Sequence, residues 1–151
     1  MNLNWQVKHF GDLTLNEFHD IIAIRIEAFV IEQNCTYQDL DGKDKKCYHV
    51  ICRDGKGAIV STARIAPPGL IYDEIAIGRI VLTEALRGKG IGHELMKECI
   101  DFCKLEFGNT SIRISAQTHL EKYYGHHNFI PTGKQYLEDG IPHSEMLYTP
   151  K

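Results

Sequence analysis

A glycine-rich turn with two basic residues carries the clearest chemical signal in this sequence. The segment Arg87-Gly88-Lys89-Gly90-Ile91-Gly92 follows an apolar, β-branched run and precedes an amphipathic stretch of helical period. The first N–H groups of a helix have no partner within it and lie at the positive end of the helix dipole, so such a turn binds anions. Glycine lets a ligand approach the backbone closely. The segment predicts a phosphate or pyrophosphate site, with the charges of Arg87 and Lys89 beside it.

Two common phosphate loops do not fit this spacing. A Walker A loop needs Ser or Thr after Gly-Lys to hold magnesium, and here Gly90 follows Lys89. The dinucleotide fingerprint G-x-G-x-x-G needs its third glycine one residue later than Gly92. A nucleotide-binding domain is therefore the weaker interpretation. The segment fits a third pattern, Arg/Gln-x-x-Gly-x-Gly/Ala, at every position.

That third pattern resembles the pyrophosphate loop of the GNAT superfamily of N-acetyltransferases, which bind acetyl-CoA. The family's second signature is a strand, a short helix ending in an aromatic–tyrosine pair, and Gly-Phe. Here Ile112–Gln117 matches the strand, Tyr123-Tyr124 matches the pair, and Asn128-Phe129 stands in the Gly-Phe position. Further segments resemble the ElaA-like branch of the superfamily: Phe29–Gln33, Tyr37 with Asp39 and Asp41, Ser115–Gln117 and Gly140–His143.

The resemblance implies which residues hold the cofactor, acetyl-CoA. The loop Arg87–Gly92 would bind the pyrophosphate, together with the N–H of His93. The pantetheine arm would lie between two parallel strands that separate, along the backbone of Ile80 and Leu82. An N–H near Val81 would stabilise the charge on the thioester oxygen. The cofactor-binding residues implied are Ile80, Val81, Leu82, Arg87, Gly88, Lys89, Gly90, Ile91, Gly92, His93, Gln117 and Tyr124.

The same resemblance implies an acid more clearly than a base. Tyr124 is the candidate general acid, because it aligns with the family's tyrosine beside the cofactor sulfur; the alternative is a core tyrosine with a hydrogen-bonded hydroxyl. Tyr123 takes the apolar position of the pair and is predicted to pack. The strand Ile77–Leu82 carries no carboxylate. Glu32 and His119 are the candidate catalytic bases, and proton loss to water is the alternative. The other candidate bases are Asp41, His49 and His143.

Two function classes remain open at this point. The first is an acetyl-CoA-dependent N-acetyltransferase that moves the acetyl group directly to a primary amine of a small molecule or peptide. The second is a non-catalytic acyl-CoA-binding sensor or partner module, which needs the loop but not Tyr124. Arg79 either orients an acidic group of the acceptor or forms a structural ion pair. A homodimer is common in the superfamily and is a possible assembly here.

Composition excludes several other classes. The chain has 151 residues, 43% hydrophobic and 25% charged, which fits one globular domain over residues 1–151. A formal net charge of −3 provides no basic field for nucleic acid, and no apolar run is long enough for a membrane span. The N-terminus has no signal-peptide pattern, so we expect a cytoplasmic protein. Cys47 and Cys52 flank His49 but point to opposite faces of a strand, so no metal site is expected.

These residues need a fold that brings them together. A helical crossover between Ile75–Leu82 and Ile112–Ala116 predicts that these strands are parallel. Thr14 and Glu17 form a capping box before the first helix. The resemblance implies an α/β (α+β) fold class: the GNAT fold, with a mixed central sheet, helices on both faces and parallel central strands that splay apart. The other predicted elements are strands Leu3–Lys8, Cys47–Arg53, Ala58–Ala66, Ile130–Glu138 and Pro142–Tyr148, and helices Ile91–Phe107 and His119–His126.

Overall fold

Seven strands form one mixed sheet in the computed structural model, which describes residues 2–150. The strands are β1 (Asn4–His9), β2 (Tyr48–Arg53), β3 (Ile59–Ala66), β4 (Ile75–Leu82), β5 (Ile112–Gln117), β6 (Phe129–Glu138) and β7 (Ile141–Tyr148). Their order is β1-β2-β3-β4-β5-β7-β6. Within the described residues, β4 and β5 are the parallel neighbours and every other pair is antiparallel. The predicted mixed sheet with a parallel central pair is confirmed.

The first helix begins where the sequence predicts. Helix α1 (Leu15–Ile26) starts after Thr14, whose hydroxyl accepts the N–H of Glu17 at 3.0 Å. The Glu17 carboxylate accepts the N–H of Thr14 at 2.9 Å, which completes the capping box. The helix continues as a π-helical segment, Glu27–Glu32. Segments of this kind are rare and occur often at functional sites.

Helices cover both faces of the sheet. Val50 and Ile51 are neighbours on β2 and therefore point to opposite faces. Val50 packs in the large core cluster with the inner face of α2 (Ile91–Phe107), whereas Ile51 packs with Ile21 of α1. No helix among residues 2–150 has the length and hydropathy that a membrane span requires.

The last predicted helix is shorter than expected. The sequence predicts a helix over His119–His126, but α3 covers only Glu121–Gly125 and follows a 3-10 turn at Thr118–Leu120. Asn128 has a left-handed φ of 71°, which ends the helical path and turns the chain into β6. Asparagine tolerates this conformation better than most residues, so it replaces the glycine of the family pattern here. By contrast, β4 and α2 begin and end at the predicted residues.

Candidate active site

The two parallel strands separate soon after they begin. Their pairing consists of Ile75 with Ile112 and Ala76 with Arg113. Beyond these residues β4 stays paired with β3 and β5 stays paired with β7. An opening therefore lies between β4 and β5, and backbone polar groups along it have no strand partner. The opening forms part of a cleft of about 980 Å³.

Backbone groups of alternate residues in β4 face this opening. The N–H of Thr83 donates to the carbonyl of Val60 in the β3 direction, at 3.1 Å. Antiparallel pairing alternates, so Val81 also turns its N–H toward β3, while Ile80 and Leu82 turn theirs toward the opening. The N–H of Val81 itself therefore points away from the opening, and the neighbouring N–H of Ile80 is the backbone donor that faces it. Val81 still lines the cleft with its other atoms.

The glycine-rich loop presents a row of free N–H groups. The φ angles of Gly88 and Gly90 are 76° and 78°, left-handed values that glycine adopts without strain. Among residues 2–150, no hydrogen-bond partner is recorded for the N–H groups of Gly88, Lys89, Gly90, Ile91 or Gly92. Alternating left- and right-handed residues turn successive N–H groups into one anion-binding concavity. The N-terminus of α2 adds its dipole at the same place.

The expected contribution of His93 is different in the structure. Its N–H donates to the carbonyl of Gly90 at 3.1 Å, so this group closes the first helical turn and is not free for an anion. Its exposed imidazole lies at the edge of the cleft, and Nδ1 is 2.9 Å from Nε2 of His127. His93 therefore meets the predicted cofactor site through its side chain.

Arg87 and Glu32 form an ion pair across the edge of the cleft. Two guanidinium nitrogens of Arg87 donate to the two Glu32 carboxylate oxygens at 2.7 and 2.9 Å, and its Nε donates to the carbonyl of Leu82 at 2.9 Å. Hydrogen bonds from Arg87 hold the pKa of Glu32 below its ordinary value. A carboxylate held in this way is a weak base, and it offsets the Arg87 charge. Lys89 is exposed and forms no ion pair within residues 2–150, so it supplies the unopposed charge of the loop.

Tyr124 lies in the cleft, nearly buried. Its exposed fraction is 7%, and its ring contacts the Tyr123 ring edge-on with centroids 4.8 Å apart. No hydrogen-bond partner is recorded for its hydroxyl within the described part of the chain. Burial raises the pKa of Tyr124 well above its ordinary value, so the phenol stays protonated at neutral pH. A protonated hydroxyl without a protein partner is a hydrogen-bond donor available to a ligand.

Tyr123 does more than fill space. Its hydroxyl donates to the carbonyl of Gly92 in the first turn of α2. A side chain at Gly92 would crowd this tyrosine, because a Cβ there would lie 3.4 Å from Cε1 of Tyr123. The prediction that Tyr123 only packs is therefore incomplete. The hydrogen bond was not predictable from the residue pair, since sequence spacing does not show how α3 docks on α2.

The remaining predicted catalytic and cofactor residues lie along the same cleft. Gln117 ends β5 and His119 follows in the 3-10 turn; both line the cleft, and the His119 side chain is exposed. Glu32 lines the opposite wall, at the end of the π-helical segment. The structure thus gathers every predicted site residue except Lys89 and Ile91 into the cleft lining. Those two belong to the loop at its edge.

A network of three arginines and three aspartates, four of them buried, reaches the cleft at Arg79. Arg25 of α1 is 1% exposed and donates to Asp39 and Asp44 at 2.8 Å each. Arg79 pairs with Asp39 at 2.9 Å, which assigns it to a structural ion pair. Its φ of 47° lies at a β3–β4 bulge. Apart from the ion pair of Arg79, this network was not predicted; an arginine on the apolar face of α1 was the available signal. Its members are Arg25, Asp39, Asp41, Asp44, Arg64 and Arg79.

The cysteines form no disulfide in the structure. Cys47, Cys52, Cys99 and Cys103 are buried, whereas Cys35 is partly exposed beside the cleft. Burial raises the pKa of Cys47 and of Cys52 to about 11, so neither thiol is ionised at neutral pH. Within residues 2–150, no group of three or more His, Cys, Asp or Glu side chains is arranged to hold a metal ion.

Comparisons with known proteins agree with this geometry. Residues 14–150 match the model of the acetyltransferase (GNAT) domain. A UPF0039 protein of Synechocystis is 36% identical, over 98% of this chain and 96% of the relative. Protein ElaA of Escherichia coli is 34% identical over 95% of each chain. The chain belongs to the GNAT acetyltransferase family.

Two solved structures extend the GNAT assignment to the whole fold. An acyl-CoA N-acyltransferase from Pseudomonas aeruginosa superposes with a TM-score of 0.93 at 37% identity, covering 98% of this chain and 100% of that one. Escherichia coli ElaA superposes with a TM-score of 0.90 at 33% identity, covering 97% and 99%. The resemblance to the ElaA-like branch is confirmed. Membership in the GNAT family supports acyl transfer from an acyl-CoA as the general chemistry.

Proposed function

We propose that this GNAT protein is an acetyl-CoA-dependent N-acetyltransferase that transfers the acetyl group directly to a primary amine of a small molecule or peptide. The observation that carries the proposal is the row of free N–H groups from Gly88 to Gly92, at the end of an opened strand pair whose cleft holds the free Tyr124 hydroxyl. This arrangement fits acetyl-CoA. The loop suits the pyrophosphate, and the opening suits an extended arm that accepts and donates backbone hydrogen bonds.

Three groups of this chain act at the reacting end in the proposed mechanism. Bound acetyl-CoA supplies the thioester that is attacked. The N–H of Ile80 donates to the carbonyl oxygen as negative charge develops on it; such a preorganised donor contributes about 2.7–4 kcal/mol. The Tyr124 hydroxyl donates to the departing sulfur. The amine nitrogen would form its bond to the acetyl carbon as the carbon–sulfur bond breaks. The phenol proton of Tyr124 would pass to the sulfur, and the amine proton would pass to His119 or water and be returned to Tyr124.

We assign the proton-accepting role to His119 or water, and not to Glu32. The Glu32 carboxylate accepts two hydrogen bonds from the Arg87 guanidinium, and these lower its pKa. His119 is exposed in the cleft lining, and imidazole is the side chain that most often serves as a general base. The relative from Pseudomonas aeruginosa, described as an acyl-CoA N-acyltransferase, supports transfer to nitrogen.

The proposal is tested in two steps. Calorimetric titrations with CoA and acetyl-CoA, with ATP and NAD as controls, test the cofactor. Thiol release from acetyl-CoA is then followed with polyamines, amino sugars and short peptides, and products are identified by mass spectrometry. An N-acetylated product supports the enzyme. Binding of CoA without product from any amine class supports the sensor or partner module instead, and heat from ATP or NAD alone overturns both.

Removing the Tyr124 hydroxyl separates catalysis from binding. Tyr124→Phe is expected to lower kcat by roughly 10²-fold, the low end for acid–base catalysis, because a thiolate leaves readily. The dissociation constant for CoA should stay within about twofold, since the loop N–H groups are untouched. Steady-state kinetics and calorimetry measure the two values. Tyr48→Phe is the matched control: it also removes one hydroxyl, hydrogen-bonded to Glu106 outside the cleft. Normal turnover by Tyr124→Phe would refute the acid assignment.

A further inference from the structure

Tyr124 sits on an element that cannot hold its own position. Helix α3 has five residues, from Glu121 to Gly125. A helix this short is not stable in water by itself, because helix formation requires a costly first turn. The place of the Tyr124 hydroxyl in the cleft is therefore set by what α3 packs against.

Two side chains tie this segment to the first turn of α2. The Tyr123 hydroxyl donates to the carbonyl of Gly92, and Nε2 of His127 lies 2.9 Å from Nδ1 of His93. The partners, Gly92 and His93, are consecutive residues directly after the loop that presents the free N–H groups. The Tyr123 ring contacts an aromatic ring on each helix: its centroid is 4.8 Å from that of Tyr124 in α3 and 5.1 Å from that of His93 in α2.

We propose that Tyr123 is a positioning residue that sets the distance between the Tyr124 hydroxyl and the cofactor loop. It acts through one hydrogen bond to the backbone of α2 and one edge-on ring contact to Tyr124. The same helical turn thereby fixes both ends of the site, the anion-binding N–H groups and the acid. This inference rests on the proposed function, because it concerns the acid of that reaction.

A double-mutant cycle tests the proposal. Tyr123→Phe removes the hydrogen bond to Gly92 and keeps the ring. We expect kcat to fall about tenfold, the fold-change of one net hydrogen bond, with KM for acetyl-CoA within about twofold. In the Tyr124→Phe background the same substitution should cost almost nothing further, because residues that act through one another are non-additive. Tyr48→Phe serves as the control, and it should leave kcat unchanged both in the wild type and in the Tyr124→Phe background.

Three results of the double-mutant cycle would contradict the proposal. Full additivity of Tyr123→Phe and Tyr124→Phe would mean that Tyr123 acts independently of Tyr124. A change confined to KM, or to the melting temperature with kcat intact, would assign it to binding or to packing alone. An unchanged kcat in Tyr123→Phe would reduce the hydrogen bond to Gly92 to a structural detail.

A second measurement does not depend on turnover. In protein labelled with ¹³C-tyrosine and saturated with CoA, Tyr123→Phe should shift the ring signals of Tyr124, whereas Tyr48→Phe should leave them in place. If no amine is acetylated by the wild type, the proposed function fails while this spectrum still tests the positioning. Unmoved Tyr124 signals in Tyr123→Phe would overturn the inference even in an active enzyme.

Discussion

Replacing Gly90 with valine is expected to lower the affinity for CoA by about 10³-fold while the chain still folds. Gly90 has a φ of 78°, and a β-branched residue strongly disfavours this region. The loop would relax toward negative φ, and the N–H groups that converge between Gly88 and Gly92 would diverge. Losing two hydrogen bonds to a charged group, at about 2 kcal/mol each, gives the stated factor. Calorimetric titration with CoA measures it.

The control separates backbone strain from ligand binding. Gly57 has a φ of 84° in the β2–β3 hairpin, and a Cβ at Gly57 or Gly90 would meet no atom within 4 Å. The two valine substitutions should therefore reduce the free energy of unfolding by similar amounts, about 1–3 kcal/mol. Only the one at Gly90 should weaken CoA binding. Equal affinities of the two variants for CoA would contradict the assignment of the loop.

The cofactor half of the site was the more predictable half. Its elements are contiguous: the apolar strand β4, a loop whose glycine spacing requires left-handed residues, and an amphipathic helix that starts at Ile91. Local patterns of this kind determine local geometry, so the strand, loop and helix were predicted with correct limits. The bulge between β3 and β4 near Arg79 was not predicted. A bulge inserts one residue into a strand without a clear sequence signal.

The acceptor half depends on contacts between residues that are far apart in the chain. Glu32 and Arg87 are separated by 55 positions, and their ion pair joins the end of the π-helical segment to the loop. Tyr123 and Gly92 are separated by 31 positions. Residue types identified Glu32 and Arg87 as candidate site residues, but only the tertiary structure shows that their charges offset each other. The acceptor side was consequently less predictable.

Replacing Arg25 with methionine is expected to reduce the free energy of unfolding by about 3–5 kcal/mol. Removing one partner from a buried ion pair leaves an uncompensated charge in a region with little water. Asp39 and Asp44, with side chains 0% and 3% exposed, would keep only one arginine each. Equilibrium unfolding in urea measures the change. Lys97→Met, which removes the exposed pair with Asp101, should cost no more than about 0.5 kcal/mol.

The pH dependence of the Arg25→Met defect identifies its cause. Burial raises the pKa of Asp44, but hydrogen bonds from Arg25 and the charges of Arg25 and Arg64 outweigh it and keep the pKa below its ordinary value. A lowered pKa in the folded state stabilises the protein above the unfolded pKa, about 4, and this stabilisation disappears as pH falls through the folded pKa. The difference between wild type and Arg25→Met should therefore be full at neutral pH and shrink below about pH 4. The double variant Arg25→Met, Asp44→Asn should recover part of the loss at neutral pH. A defect of constant size across pH, with no recovery in the double variant, would mean that the lost packing of the Arg25 side chain, and not the unpaired charge, destabilises the wall of the cleft.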